Sequence, residues 1–165
     1  MPSIMPAFAR FPREAEIIGR LLAGYTNIEI GLMNCVQVVR GDFDTVLKAM
    51  FRARGETARI DIADAFGRHH YDNAKLGTEF SMSVSAVRYC LRIRNQYAHC
   101  VWWDDNSGNL AFANLEDVAK GNTFLKDLTS LPTYHVDLPI LTSQEDYFVY
   151  VDQLLAWELP RGMLK

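Results

Sequence analysis

The chain has 165 residues, of which 49% are hydrophobic, and its net charge is −3. This length fits one domain with a real core, and the near-neutral charge argues against a nonspecific nucleic-acid binder, which is usually basic overall. The three cysteines are odd in number and form no CxxC pair, which argues against a disulfide framework or a zinc knuckle. We therefore expect a reduced, cytoplasmic protein.

Targeting signals and membrane spans are not predicted. The first 16 residues contain two early prolines and lack the apolar run of a signal peptide. No stretch approaches the roughly 18 consecutive apolar residues that a membrane span needs. Charge is uneven along the chain: residues 1–99 carry 13 Lys or Arg and 10 Asp or Glu, whereas residues 100–165 carry 4 and 10. Contact with RNA is therefore expected only locally, on the arginine-bearing part.

Four helices are predicted in the first hundred residues, because apolar side chains recur there at three- and four-residue spacing. The first is long, with Pro12 just before its start and Gly41 just after its end, as helix boundaries prefer. Short glycine-containing turns between the helices indicate a bundle of antiparallel or angled neighbours. The predicted helices cover residues 13–40, 44–54, 56–75 and 78–98.

After the fourth helix the pattern changes to a short β-hairpin. Two apolar runs, at residues 101–103 and 109–113, flank a five-residue polar loop. Residues 115–140 are interpreted as a helical turn with irregular chain. Ser143, with Asp146 three residues later, resembles a capping box that opens a last helix.

These elements predict a mainly α fold, a bundle of four to five helices with a small β-hairpin after the fourth. We expect a single domain over residues 1–165. Its helical core covers about 12–100, and the hairpin and C-terminal helix cover 101–158. Within the first helix, Glu29 is expected to be partly exposed.

A polar stripe is predicted along the fourth helix. Arg88, Arg92, Asn95 and His99 are spaced at i, i+4, i+7 and i+11, so they would share one face. Arg94 lies about 140° from His99 on an ideal helix, but its long side chain can still reach the groove beside that stripe. A fixed cation next to a titratable imidazole suits chemistry on a phosphodiester.

Several arginines close together repel one another unless an anion neutralises them. No carboxylate occurs between Glu79 and Asp104. A bound phosphate would relieve the repulsion. The alternative is an ordinary salt-bridged surface with Asp104 or Asp105 as partners and His99 as a helix C-terminal histidine.

Residues 94–99, Arg-Asn-Gln-Tyr-Ala-His, resemble the R-x4-6-H motif of the HEPN superfamily of helical proteins, many of which are metal-independent ribonucleases. The polar residue after the arginine, the small residue before the histidine and the following Trp102 and Trp103 are also similar to this group. The resemblance covers about residues 12–103. Val101 departs from it, because HepT-type toxins carry a tyrosine two residues after the histidine.

The resemblance implies a homodimer in which two motifs face each other and cleave RNA without metal or cofactor. His99 would act as general acid or base, Arg94 would neutralise the phosphorane, and Asn95 would orient the imidazole or phosphate. Arg88 and Arg92 would bind RNA. The products would be a 2′,3′-cyclic phosphate and a 5′-hydroxyl. The family also implies toxin–antitoxin or defence contexts, with an antitoxin or nucleotidyltransferase as partner.

Two rival functions remain open at this point. One is a non-catalytic HEPN-like module for dimerisation or for binding RNA or a nucleotide. The other is a helical structural protein whose motif arises by chance. A metal site at His69, His70 and Asp72 is disfavoured because adjacent histidines diverge by about 100° on a helix. Cys100 lacks an orienting residue for a nucleophile.

Overall fold

Helices dominate the computed structural model, which describes residues 5–158 and the side chains up to residue 156. A mainly α class is thereby confirmed. The described chain forms seven α-helices, namely α1 Pro6–Arg10, α2 Pro12–Arg40, α3 Phe43–Arg52, α4 Glu56–Asn73, α5 Gly77–Tyr97, α6 Leu115–Lys120 and α7 Leu138–Gln153. It also forms three strands, β1 Cys100–Trp103, β2 Leu110–Asn114 and β3 Tyr134–Val136. A 3₁₀ turn covers Leu128–Ser130, and a π-helical turn, Leu154–Glu158, follows α7.

The four predicted helices of the first hundred residues are confirmed as α2 to α5, each within two residues at either end. None of the described helices combines the length and apolar content needed to cross a bilayer. The chain divides into two compact units, one containing the described residues up to Leu22 together with Ile93–Glu145, the other Ala23–Arg92 and the residues from Asp146 onward. One domain over all 165 residues stays a prediction.

In the unit that contains α3 and α4, the core is built around a pair of aromatic rings. Tyr71 and Phe80 stack with centroids 4.4 Å apart and planes 7° from parallel. The Tyr71 hydroxyl donates a hydrogen bond to the Cys35 carbonyl oxygen at 3.0 Å, so the polar end of this buried ring is satisfied. Gly67 of α4 provides the space that the Phe80 ring occupies.

Glu29 is buried, with 3% of its surface exposed, so its predicted partial exposure is wrong. Arg59 of α4 donates from Nη1 to both carboxylate oxygens of Glu29, at 3.1 and 3.3 Å. A nearby guanidinium offsets the cost of removing a carboxylate from water. The sequence of α2 alone does not show this partner, which comes from another helix 30 residues away.

In the other unit, the three strands form an antiparallel sheet in the order β1-β2-β3. The predicted hairpin is confirmed, and its register pairs Cys100 with Asn114 and Trp103 with Ala111. Every residue of the central strand β2 is buried. Helix α1, which was not predicted, places Phe8 against the Trp102 ring at 5.5 Å between centroids. The third strand was not predicted either.

The last helix begins at Leu138, so its predicted start at Ser143 is wrong. Asp137 caps the helix by accepting a hydrogen bond from the Ile140 N–H at 2.9 Å. Pro139 then lies in the first turn, where a missing N–H leaves no helical hydrogen bond unmade. Pro139, which lies in the segment interpreted as irregular chain, is therefore part of the first turn of α7.

We expect Gly67→Ala to destabilise the protein by about 1–3 kcal/mol, because a Cβ at this position would lie 2.6 Å from Cζ of buried Phe80. The matched control is Gly24→Ala in α2, where no atom lies within 4 Å of an added Cβ. That substitution should stabilise by roughly 0.5–1 kcal/mol through a better helix propensity. Urea denaturation of both variants measures the two changes, and a neutral Gly67→Ala would contradict the described packing.

Candidate functional site

His99 lies just beyond the end of α5. The last turn closes with a hydrogen bond of 3.0 Å from the Ala98 N–H to the Arg94 carbonyl oxygen. His99 itself has φ of +60°, a left-handed conformation that ends an α-helix. The prediction that the stripe of Arg88, Arg92 and Asn95 continues onto His99 by helical spacing is therefore wrong. The motif residues are close in sequence, but His99 lies after the last residue of α5. The direction of its imidazole is therefore set by its left-handed backbone and not by helical spacing.

The C-terminal end of α5 is held by the side chain of Asn114, the last residue of β2. Its Nδ2 group donates to the carbonyl oxygens of Asn95, Gln96 and Ala98 at 2.7, 3.2 and 3.0 Å. The last carbonyls of a helix have no partners within the helix, so an external donor is needed where they are buried. Asn114 is buried and supplies that donor.

The other end of the same amide begins helix α6. Asn114 Oδ1 accepts from the N–H groups of Glu116 and Asp117 at 2.9 and 3.2 Å, which makes Asn114 the N-cap of α6. The intervening Leu115 N–H donates to the His99 carbonyl oxygen at 3.2 Å. One side chain and one backbone bond therefore fix the end of α5, His99 and the start of α6 together.

The His99 imidazole is accessible to solvent, with 61% of its side chain exposed. Its Nε2 lies 3.5 Å from Oε1 of Glu116 in the first turn of α6. Lys120 places Nζ 4.0 Å from Oε2 of the same Glu116 and 3.6 Å from Oδ1 of Asp117. An imidazole beside a carboxylate, both facing solvent, is an arrangement that can exchange protons with a bound molecule.

Arg94 and Asn95 contact each other. Arg94 Nη1 donates to Asn95 Oδ1 at 3.0 Å. Arg94 is partly buried and Asn95 is exposed. The amide predicted to orient the imidazole or a phosphate thus contacts the guanidinium, and it limits the directions in which the Arg94 fork can point.

The two arginines predicted to bind RNA lie earlier on α5, in the other unit. Arg88 Nη2 pairs with Asp61 Oδ1 of α4 at 2.7 Å. The Arg92 guanidinium lies over the Tyr89 ring, 4.9 Å from its centroid. A carboxylate from another helix therefore neutralises Arg88, whereas Arg92 is associated with an aromatic face.

The carboxylates proposed as salt-bridge partners of these arginines bind other groups. Asp104 Oδ2 pairs with Arg10 Nη1 at 2.6 Å. Asp105 Oδ2 contacts His135 Nε2 at 2.7 Å. Hydrogen bonding from Ser107 and from His135 holds the pKa of Asp105 well below its usual value. Both carboxylates thus tie the hairpin loop to neighbouring segments of its own unit.

Cys100 is partly buried and hydrogen-bonded, and Trp102 packs against other aromatic rings. Burial raises the pKa of the Cys100 thiol to about 12, with a further rise from the charge of Asp117. Its Sγ donates to the Gln96 carbonyl oxygen at 3.1 Å. Trp102 packs against Tyr97 and Phe112, with centroids at 6.0 and 5.2 Å. The Cys100 thiol and the Trp102 ring therefore both pack within this unit.

His69 and His70 lie near the C-terminal end of α4. His69 Nε2 contacts Nδ2 of Asn73 at 3.0 Å, one helical turn away. Across residues 5–158, no three His, Cys, Asp or Glu side chains are grouped as a metal ion would require.

Comparison with known proteins adds no relative to these observations. No protein-family model, no curated protein and no solved structure matches the chain. The HEPN resemblance stays a prediction carried by residues 94–99 and their neighbours. Asn114 and Glu116, which complete the site around His99, were missed by the sequence analysis.

Replacing Asn114 should weaken the whole α5–α6 junction. We expect Asn114→Ala to lower the free energy of unfolding by about 2–4 kcal/mol, since it removes an N-cap and the amide donor shared by three carbonyl groups at the end of α5. Asn114→Asp keeps the capping oxygen but replaces the donor with an oxygen that faces the three carbonyls. It should therefore destabilise at least as much.

Urea denaturation at neutral pH measures both Asn114 variants. The matched control is Asn109→Asp, an Asn-to-Asp change in the exposed hairpin loop, which should change stability by less than about 0.5 kcal/mol. Equal stability of Asn114→Asp and wild type would show that the amide donor does not hold the end of α5.

The raised pKa of Cys100 predicts a thiol that is inert near neutrality. Because the pKa is about 12, the reactive thiolate is scarce at pH 8 in the folded protein and grows only as pH approaches 12. Alkylation by iodoacetamide, followed at the Cys100 peptide by mass spectrometry, should be at least tenfold slower in native than in urea-unfolded protein. Fast labelling of the native protein at pH 8 would contradict this environment. Cys100→Ser should leave any activity unchanged.

Proposed function

We propose that the chain is a HEPN-like, metal-independent endoribonuclease with His99, Arg94 and Asn95 at its reacting site. The observation that carries the proposal is the anchoring of His99. A left-handed backbone, a bond from Leu115 and the Asn114 bridge hold an exposed imidazole at the end of α5. A buried amide that fixes the backbone around an exposed imidazole holds that group in one place, as a functional site requires.

The proposed reaction is attack by the ribose 2′-hydroxyl on the adjacent phosphorus. A base removes the 2′-proton, and an acid protonates the departing 5′-oxygen. An imidazole can do either near neutrality, so His99 takes part in proton transfer. The products are a 2′,3′-cyclic phosphate and a 5′-hydroxyl end.

Arg94 would stabilise the phosphorane. Its fork of donors, limited by the Asn95 contact, suits two non-bridging oxygens at once. The guanidinium and the imidazole lie at the same helix end, on residues whose backbones are fixed by one hydrogen-bond network. Binding by Arg94 and proton transfer by His99 would act on the same phosphate.

Arg88 and Arg92 would bind RNA. Arg88 must then exchange Asp61 for a phosphate oxygen. Because both partners are partly exposed to solvent, the lost ion pair costs only about 0–1 kcal/mol. Arg92, which lies over the Tyr89 ring, presents a cation that suits a phosphate.

Assembly and cellular role follow from the resemblance and belong to the proposal. They are a homodimer with facing motifs, a cytoplasmic location, a toxin–antitoxin or defence context, and an antitoxin or nucleotidyltransferase partner.

A non-catalytic module that binds RNA or a nucleotide is the second candidate. The Arg94–Asn95 hydrogen bond favours it, since an amide-held guanidinium binds phosphate without any proton transfer.

The first experiment is RNA cleavage in EDTA by the purified protein, with analysis of product ends. We expect wild type to cleave and to leave cyclic phosphates. Loss of the acid–base group in His99→Ala should reduce the rate about 10²–10⁴-fold. Loss of a charge-stabilising donor in Arg94→Ala should reduce it about 10²–10³-fold.

The left-handed backbone of His99 supplies a control for folding. His99→Gly removes the imidazole at a position where φ is +60°, which glycine adopts without strain, whereas alanine does not. It should be as stable as wild type and yet inactive. RNA binding without cleavage by wild type would favour the binding module, and neither binding nor cleavage would leave the structural alternative.

A further inference from the structure

We propose that Glu116 is the second proton-transfer residue of this site and acts as the base, while His99 of the same chain acts as the acid. This inference rests on the proposed ribonuclease function. The resemblance implies that two His99 residues, one from each protomer, share the two tasks. The geometry of the described residues supplies both groups within one chain, because Glu116 Oε1 lies 3.5 Å from His99 Nε2.

The pairing of these two side chains is determined by the backbone. Glu116 N–H binds Asn114 Oδ1, and the neighbouring Leu115 N–H binds the His99 carbonyl oxygen. Asn114 also binds the carbonyl of Ala98, the residue before His99. An exposed ion pair between two long, mobile side chains contributes little free energy, so it does not by itself keep the two groups together. Here the two backbones are fixed to each other, so the carboxylate and the imidazole extend from adjoining backbone segments.

Both groups are open to a substrate as large as RNA. The exposed fractions of the His99 and Glu116 side chains are 61% and 55%. A phosphodiester approaching this face meets an imidazole and a carboxylate. Asn114 is buried behind them and acts as a positioning residue.

The 2′-oxygen of the ribose forms a bond to phosphorus, and its proton passes to the Glu116 carboxylate. The bond between phosphorus and the 5′-oxygen breaks, and the leaving oxygen takes a proton from the His99 imidazolium. Glu116 ends protonated and His99 neutral. Proton transfer between these neighbours restores the starting state without any metal or other reactant.

The first test compares Glu116→Gln with Asp117→Asn, which removes the same charge one residue later on α6. We expect Glu116→Gln to lower kcat at least 10²-fold with KM unchanged, as for loss of a general base. Asp117→Asn should remain within about twofold of wild type, and Glu116→Asp should recover part of the lost rate. An equal effect of both neutralising variants would overturn the proposal, because general charge would then explain the loss.

The second test separates the acid from the base. An RNA with sulfur in place of the bridging 5′-oxygen has a leaving group that needs no proton. On this substrate His99→Gly should regain most of the activity that it lacks on ordinary RNA, whereas Glu116→Gln should remain inactive. Rescue of Glu116→Gln, or no rescue of His99→Gly, would overturn the assigned roles.

Mixing the two variants tests whether the pair acts within one chain. If base and acid come from the same chain, combined His99→Gly and Glu116→Gln proteins stay inactive after subunit exchange. Recovery toward a quarter of wild-type activity would place the groups on different chains and overturn the proposal. Full activity of Glu116→Gln, with His99→Gly inactive, would overturn the role of Glu116 as the base but would leave the proposed ribonuclease function standing. Absence of cleavage by the wild-type protein would contradict both the proposed ribonuclease function and the role of Glu116.

Discussion

A buried amide must satisfy both its donor and its acceptor, and at Asn114 that requirement organises the surrounding structure. Its donor occupies the orphan carbonyls at the end of α5, and its acceptor occupies the orphan N–H groups at the start of α6. His99 lies between these two ends, and the bonds from Asn114 to Ala98 and from Leu115 to His99 fix its backbone. Its left-handed backbone, costly for a residue with a Cβ, is maintained because the neighbouring bonds over-determine it.

Most of the helical architecture is predictable from the sequence, because α2 to α5 are long enough for apolar periodicity to be clear. The shorter elements are not. Helix α1 has five residues and β3 has three, too few for any period to appear. Pro139 misled the prediction at α7, since a proline in a first turn and a proline in irregular chain look alike without the Asp137 cap. Glu29 was misplaced because its partner lies on a different helix.

At the candidate site, the sequence indicates which residue types are proposed to react but not how they are arranged. Arg94 and His99 belong to one short motif, whereas Asn114 and Glu116 follow a whole hairpin later. A local signal for them exists: an asparagine at the end of an apolar strand, followed by two acidic residues, is the pattern of a capped helix start. That signal predicts α6, but only the hairpin register shows that this helix start meets the end of α5.

The Asn114 bridge also bears on how the chain folds. Its three bonds to α5 span only 16 to 19 residues. The entropy lost on closing a loop grows slowly with its length, and doubling the length adds only about 0.6 kcal/mol, so a closure of this size is inexpensive. The hairpin between the bonded residues brings them together by local pairing, which is a fast event. We therefore expect this segment to acquire its native geometry early, before contacts between distant parts of the chain have formed.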